Sequence, residues 1–152
     1  MSTAIEHLAV LHNNPFIFAP ALAEFYSEFG SGKKGMLLAY LVLPLVLPGE
    51  SRKYLRAVRV NSSLRMLLND RARIHGLTVR VQQYRRITDK TLQYLVDAAV
   101  IEVGADLSIA VTGQVSGGVA PEGVTAAARG LAKLCLPYDV QTVYRMLGVK
   151  SL

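Results

Sequence analysis

The run Met36-Leu-Leu-Ala-Tyr-Leu-Val-Leu-Pro-Leu-Val-Leu47 constrains this chain more than any other segment. A helix that is apolar on every side has no face to present to water, so it must lie inside a domain or inside a membrane. A membrane span needs about 20 such residues, and this run is shorter and contains Pro44. It reads as a buried helix around which everything else is arranged, with an interfacial membrane segment as the lesser alternative. The material for such a domain is present. The 152 residues are 51% apolar and 18% charged, enough for a sizeable core and too little charge for a disordered tail.

Helical periodicity flanks the run. Phe18, Leu22, Phe25, Tyr26 and Phe29 recur at three- and four-residue steps, predicting a helix that starts near Ala19, has Pro20 in its first turn and stops at Gly30-Ser31-Gly32. Ile5, Leu8, Ala9 and Leu11 suggest a shorter helix upstream. Ser51 is a candidate N-cap for a short helix, Asn61-Ser62-Ser63 offer caps for Leu64–Leu68, and Asp70 opens a basic stretch with Ile74, Leu77, Val81 and Tyr84 facing inward. Thr88 then predicts the cap of a new helix through Ala99, striped by Leu92, Leu95, Val96 and Ala99.

The period next switches to two. Ile101 and Val103 alternate with Glu102, Gly104-Ala105-Asp106 supply a turn, and Leu107, Ile109 and Val111 alternate with Ser108 and Ala110, which predicts a hairpin. Helix, helix, hairpin is the order of a winged-helix unit. Beyond a loop at 114–118, Pro121-Glu122 open a helix with the stripe Val124, Ala127, Ala128, Leu131, Ala132 and Cys135, ended by Pro137. Asp139 caps a last helix with Val140, Val143, Tyr144 and Leu147 inward and Gly148 as its stop. The expected fold class is mainly α (α+β), one domain over 1–152. Its parts are N-terminal helices at 13–48, a winged-helix-like unit at 61–112 and C-terminal helices at 121–149.

Charge is distributed unevenly. Of 17 Lys and Arg, 11 fall between Arg52 and Lys90, where only Asp70 and Asp89 oppose them, so the rest of the chain is slightly acidic. A positive segment of this kind suits a phosphate backbone or an acidic protein partner. Arg71, Arg73, Arg80, Arg85, Arg86 and Lys90 are the candidate contact residues. The helix expected to enter a major groove, Thr88–Ala99, carries Asp89 and Asp97 against Lys90, and the turn at 104–106 has no cation. Any DNA contact is therefore expected to be to the backbone, without base readout.

Catalysis finds no assembled set. His7 and His12 are five residues apart, about 140° off register on a helix, and lack the HExxH spacing of a zinc pair. Gly30-Ser-Gly-Lys-Lys-Gly35 follows a predicted helix and is not followed by Ser or Thr, so it fails as a phosphate loop. Glu24 and Glu28, one turn apart, suit a solvated face. The lone Cys135 excludes a disulfide framework, falls on an apolar stripe and reads as a structural thiol. No catalytic residue, metal or cofactor is expected. The cysteine usage and a Met1–His7 segment without a basic, then apolar, leader point to the cytoplasm.

Several short motifs resemble a known family in their order and spacing. They are Asn14-Pro15-Phe16, Lys34-Gly35-Met36 leading into Leu41–Leu47, Ser51-Arg52, Arg71-Ala72-Arg73, Thr142-Val143-Tyr144 and Leu147-Gly148-Val149-Lys150. Together they resemble the middle components of bacterial three-component ABC ATPase systems, of the kind active in antiphage defence. The resemblance implies a small non-enzymatic subunit encoded between an SMC/Rad50-like ABC ATPase and an effector, as in Lamassu-like systems, bridging the two and possessing no small-molecule substrate. A free-standing winged-helix DNA-binding regulator is the alternative reading.

Overall fold

The computed structural model describes residues 14–116 and 123–150. The short helix expected upstream of Asn14 and the opening at Pro121-Glu122 lie outside the described residues. The chain is mainly α with one small sheet. In order it forms α1 (Pro15–Phe29), a 3-10 turn (Gly35–Leu38), α2 (Ala39–Val46), α3 (Gly49–Arg56), α4 (Leu64–Leu68) and α5 (Arg71–Ile74). Then follow α6 (Leu77–Asp97), the antiparallel strands β1 (Ile101–Val103) and β2 (Ile109–Val111), α7 (Val124–Cys135) and α8 (Val140–Leu147).

Every residue of α2 is buried, as its composition requires. The core wraps it. α1 contributes Phe18, Leu22, Phe25 and Tyr26, α6 the stripe Leu77, Val81, Tyr84, Ile87, Leu92 and Leu95, and α7 the stripe Val124, Ala127, Ala128, Leu131, Ala132 and Cys135. α3 crosses α7 at Gly130, where a Cβ would stand 2.0 Å from the Leu55 carbonyl oxygen. Only glycine permits that approach.

Burial imposes a demand on α2 that its own backbone cannot meet. The last carbonyls of a helix have no intrahelical partner, and here water cannot reach them. Side chains from elsewhere supply the donors. Arg80 Nε on α6 bonds the Pro44 carbonyl at 3.2 Å, Ser51 Oγ bonds that of Leu45 at 2.5 Å, and Arg52 Nη1 bonds that of Leu47 at 2.5 Å. The other end is tied as firmly. Tyr26 hydroxyl donates to the Gly35 carbonyl at 2.7 Å, Tyr144 hydroxyl donates to that of Leu37, and Tyr40 hydroxyl donates to Asp89 Oδ1 at 2.5 Å.

The structure corrects four expectations. α1 begins at Pro15 with Asn14 as its cap, so Pro20 lies inside the helix; the Asn14 carboxamide accepting from Phe16 N–H at 3.0 Å fixes the earlier start. Ser51 is not a cap: α3 starts at Gly49, and Ser51 is buried one turn before Leu55 on the same face. Thr88 is likewise not a cap, because the inward stripe runs unbroken from Leu77 to Leu95 and carries one continuous helix past it. The two helices expected before the hairpin are therefore one. Leu107 is not a strand residue; it turns at φ 61° in the hairpin loop, partly exposed.

That hairpin has the expected antiparallel pairing, Ile101 opposite Val111 and Val103 opposite Ile109. Its tip does not project. The Asp106 carbonyl accepts from Lys34 N–H at 2.9 Å and the Leu107 carbonyl from Met36 N–H at 2.8 Å, which folds the loop back onto the 3-10 turn. The last helix matches expectation, with Asp139 accepting from Thr142 N–H at 2.7 Å and Gly148 at φ 74°.

Two outcomes follow from these ties. Ser51→Ala leaves the Leu45 carbonyl buried and unbonded, and is expected to lower stability by about 1–3 kcal/mol, seen as a reduced urea midpoint at unchanged slope. Burial raises the phenols of Tyr26 and Tyr144 above their ordinary value, and burial and then Asp89 push Tyr40 up to about 12. An unfolded tyrosine ionises near pH 10, so above that pH the unfolded chain releases protons the native chain keeps. Their contribution to stability is full below about pH 10 and declines as pH rises further. Absorbance titration at 295 nm should show these three ionising together with unfolding.

Candidate partner interface

The basic segment separates into two populations. In the first, the guanidinium is engaged within the fold. Arg80 joins α2, and its Nη1 also donates to the His75 carbonyl at 2.5 Å. Arg73 lies 4.2 Å over the Tyr54 ring, bonds the Met66 carbonyl at 3.0 Å and stands 3.9 Å from Asp70. Arg52, half-buried, closes α2. Each of these fastens one short helix to a neighbour, α5 to α3 and α4 in the case of Arg73.

The second population faces water. Arg71 is exposed at the start of α5, and Arg85, Arg86 and Lys90 are exposed on α6. At 100° per residue, Val79, Arg86 and Lys90 fall within about 40° of one another on the outer face of that helix, with Gln82, Gln83 and Gln93 beside them. Val79 is 61% exposed. Arg85 projects toward the Tyr40–Asp89 pair, where its charge opposes the rise of the Tyr40 phenol. The result is a ridge of two cations, Arg86 and Lys90, with Val79 in line, on a helix of 21 residues, while Arg85 stands about 100° or more away from that line.

Among the described residues no group of three or more His, Cys, Asp or Glu is placed to hold a metal ion, and no helix is long and apolar enough to cross a membrane. Glu24 is held by Arg129 Nε at 2.7 Å. Cys135 is buried, and desolvation alone pushes its thiol up to about 12. The thiolate, the reactive form, is therefore scarce at neutral pH.

A second surface escaped the sequence. α8 and the 3-10 turn bound an open groove of about 510 Å³ with Leu37, Val140, Tyr144 and Val149 as its floor and Arg145 and Lys150 at its rim. Nothing in the periodicity marks it, since Val140 and Tyr144 also read as ordinary inward positions. The signal that was available is the pair of cations spaced around the Gly148 stop.

The sequence matches the family model for Middle Component 3 of ABC-three component (ABC-3C) systems over residues 2–151. No curated protein and no solved structure gives a match.

The Cys135 environment makes a simple prediction. The native thiol should resist an aromatic disulfide reagent at pH 8 for hours and react within seconds once the chain is unfolded in urea. Rapid modification of the folded protein would contradict a buried, protonated thiol.

Proposed function

From the premise that the chain belongs to the Middle Component 3 family of ABC-three component systems, we propose that it is a non-catalytic cytoplasmic subunit that bridges an SMC/Rad50-like ABC ATPase to an effector in antiphage defence. The observation that carries this reading is the exposed cation ridge of α6, left outward while Arg80, Ser51 and Arg52 are engaged in holding the buried helix. A rigid ridge of this kind presents charge to a large acidic surface, which an ATPase head or the DNA it holds provides.

Of the residues singled out from sequence, Arg86 and Lys90 on α6 and the exposed Arg71 on α5 are the ones assigned to contact. Arg73 and Arg80 are engaged within the fold, and Arg85 faces the Tyr40–Asp89 pair. Direct DNA contact, where the assembly makes it, is to phosphates. The free-standing regulator reading loses its support: α6 does not break at Thr88 to give a separate recognition helix, and the hairpin tip is bonded to Lys34 and Met36 where a wing would be free.

The test is charge reversal confined to exposed positions. The Arg86→Glu, Lys90→Glu variant should fold with an unchanged urea midpoint and bind the ATPase component of its own system more weakly than the natural chain at low salt, with the difference closing as salt rises. For the DNA-loaded assembly, the slope of log affinity against log salt should fall by about 2 if both cations meet phosphates. Equal binding by both proteins across the titration would remove the ridge from the interface.

A further inference from the structure

We propose that the groove between α8 and the 3-10 turn docks an acidic amphipathic helix of a protein partner, an inference that rests on the accessory-subunit reading above. The lining is mostly apolar, Leu37, Val140, Tyr144 and Val149, with Gln141 as its uncharged polar side chain, and backbone groups beside it are engaged. Tyr144 hydroxyl donates to the Leu37 carbonyl, and the carbonyls of Tyr144 and Arg145 accept from Val149 and Gly148 N–H at 3.1 Å each. A guest strand would find no row of backbone groups to pair with. The occupant must satisfy its own backbone, as a helix laying apolar anchors into a groove does.

The rim selects its charge. Arg145 and Lys150 are exposed, and neither lies within 4.0 Å of a carboxylate among the described residues. The neighbouring acid, Asp139, is occupied as the cap of α8. Its hydrogen bonds to Thr142 hold its carboxyl below the usual range, and the charges of Arg145 and Lys34 add to that. Asp139 keeps its negative charge as a cap, and among the described residues the cations gathered here, Arg145, Lys150 and nearby Lys34, outnumber it; carboxylates one turn from the apolar anchors of the guest would supply the rest. A small molecule is a poorer fit, because ligand pockets enclose most of their guest and this groove is open to solvent. A bare phosphate backbone leaves the apolar floor uncovered.

The groove is built by α8 and the 3-10 turn, whereas the cation ridge is on α6, so substitutions can address the two surfaces separately.

Hydrogen exchange by mass spectrometry tests this on the full chain, alone and after co-expression with the ATPase and effector components of its own system. Amides at 35–38 and 140–150 should exchange more slowly in the assembly. Arg145→Glu, Lys150→Glu, which changes only exposed side chains, should keep the urea midpoint and lose about tenfold or more in affinity for one component. The Arg86→Glu, Lys90→Glu variant of α6 should retain groove protection. If the assembly forms with groove amides exchanging as in the free chain, and the double variant joins it undiminished, the groove proposal fails while the accessory role stands. If the chain alone forms a dimer that the double variant abolishes, the groove is a contact between copies and the proposal is overturned. If neither component binds the chain, the accessory reading falls and the groove with it.

Discussion

A helix sealed from water on every side leaves its terminal carbonyls to the mercy of other segments, and much of this fold is the consequence. α2 cannot bond its own end, and an unbonded buried carbonyl costs on the order of 1–3 kcal/mol. Arg80, Ser51 and Arg52 meet that need at Pro44, Leu45 and Leu47. To do so, α6 and α3 must lie where their side chains reach the same helix end. Tyr26 and Tyr144 impose the same condition on α1 and α8 at the other end. The packing of large apolar side chains supplies most of the stabilisation, while these bonds select which arrangement of helices is allowed.

This constraint changes the meaning of the basic segment. A sum of charge between Arg52 and Lys90 treats every cation as equally available. Arg52, Arg73 and Arg80 are fastened inside the domain, by carbonyls and by the Tyr54 ring. Arg86 and Lys90 remain outward on α6, and Lys53, Arg56, Arg59, Arg65 and Arg71 are exposed on the shorter segments before it, so the charge available to a partner is what remains after these internal ties. The same logic applies to the hairpin. Its tip bonds Lys34 and Met36, which anchors the approach to the buried helix and removes a free wing from the molecule.

How much of this was legible depended on whether a signal was local. The α2 run declared its own burial, and the stripes of α7 and α8 and the caps Asp139 and Gly148 were readable because periodicity and capping act over a few residues. Thr88 and Ser51 misled for a shared reason. Ser and Thr favour caps, yet both residues lie on the buried phase of a helix, Ser51 with Leu55 and Thr88 within the Leu77–Leu95 stripe. Tertiary burial outweighed local preference. The cation ridge was half legible: composition located the charge, but only the three-dimensional contacts separate Arg80 from Arg86. The α8 groove was not legible, because it arises where two segments some hundred residues apart in sequence meet.

The molecule is a helical body organised around one sealed helix, with a cation ridge on one element and a mostly apolar, cation-rimmed groove on others. The role proposed for it is to join two other components. The most direct measurement is the mass, by light scattering after size exclusion, of what the ATPase and effector components form with and without it. The account predicts a single species containing all three, and separate ATPase and effector peaks when this chain is omitted. An ATPase–effector complex that forms equally well in its absence would contradict it.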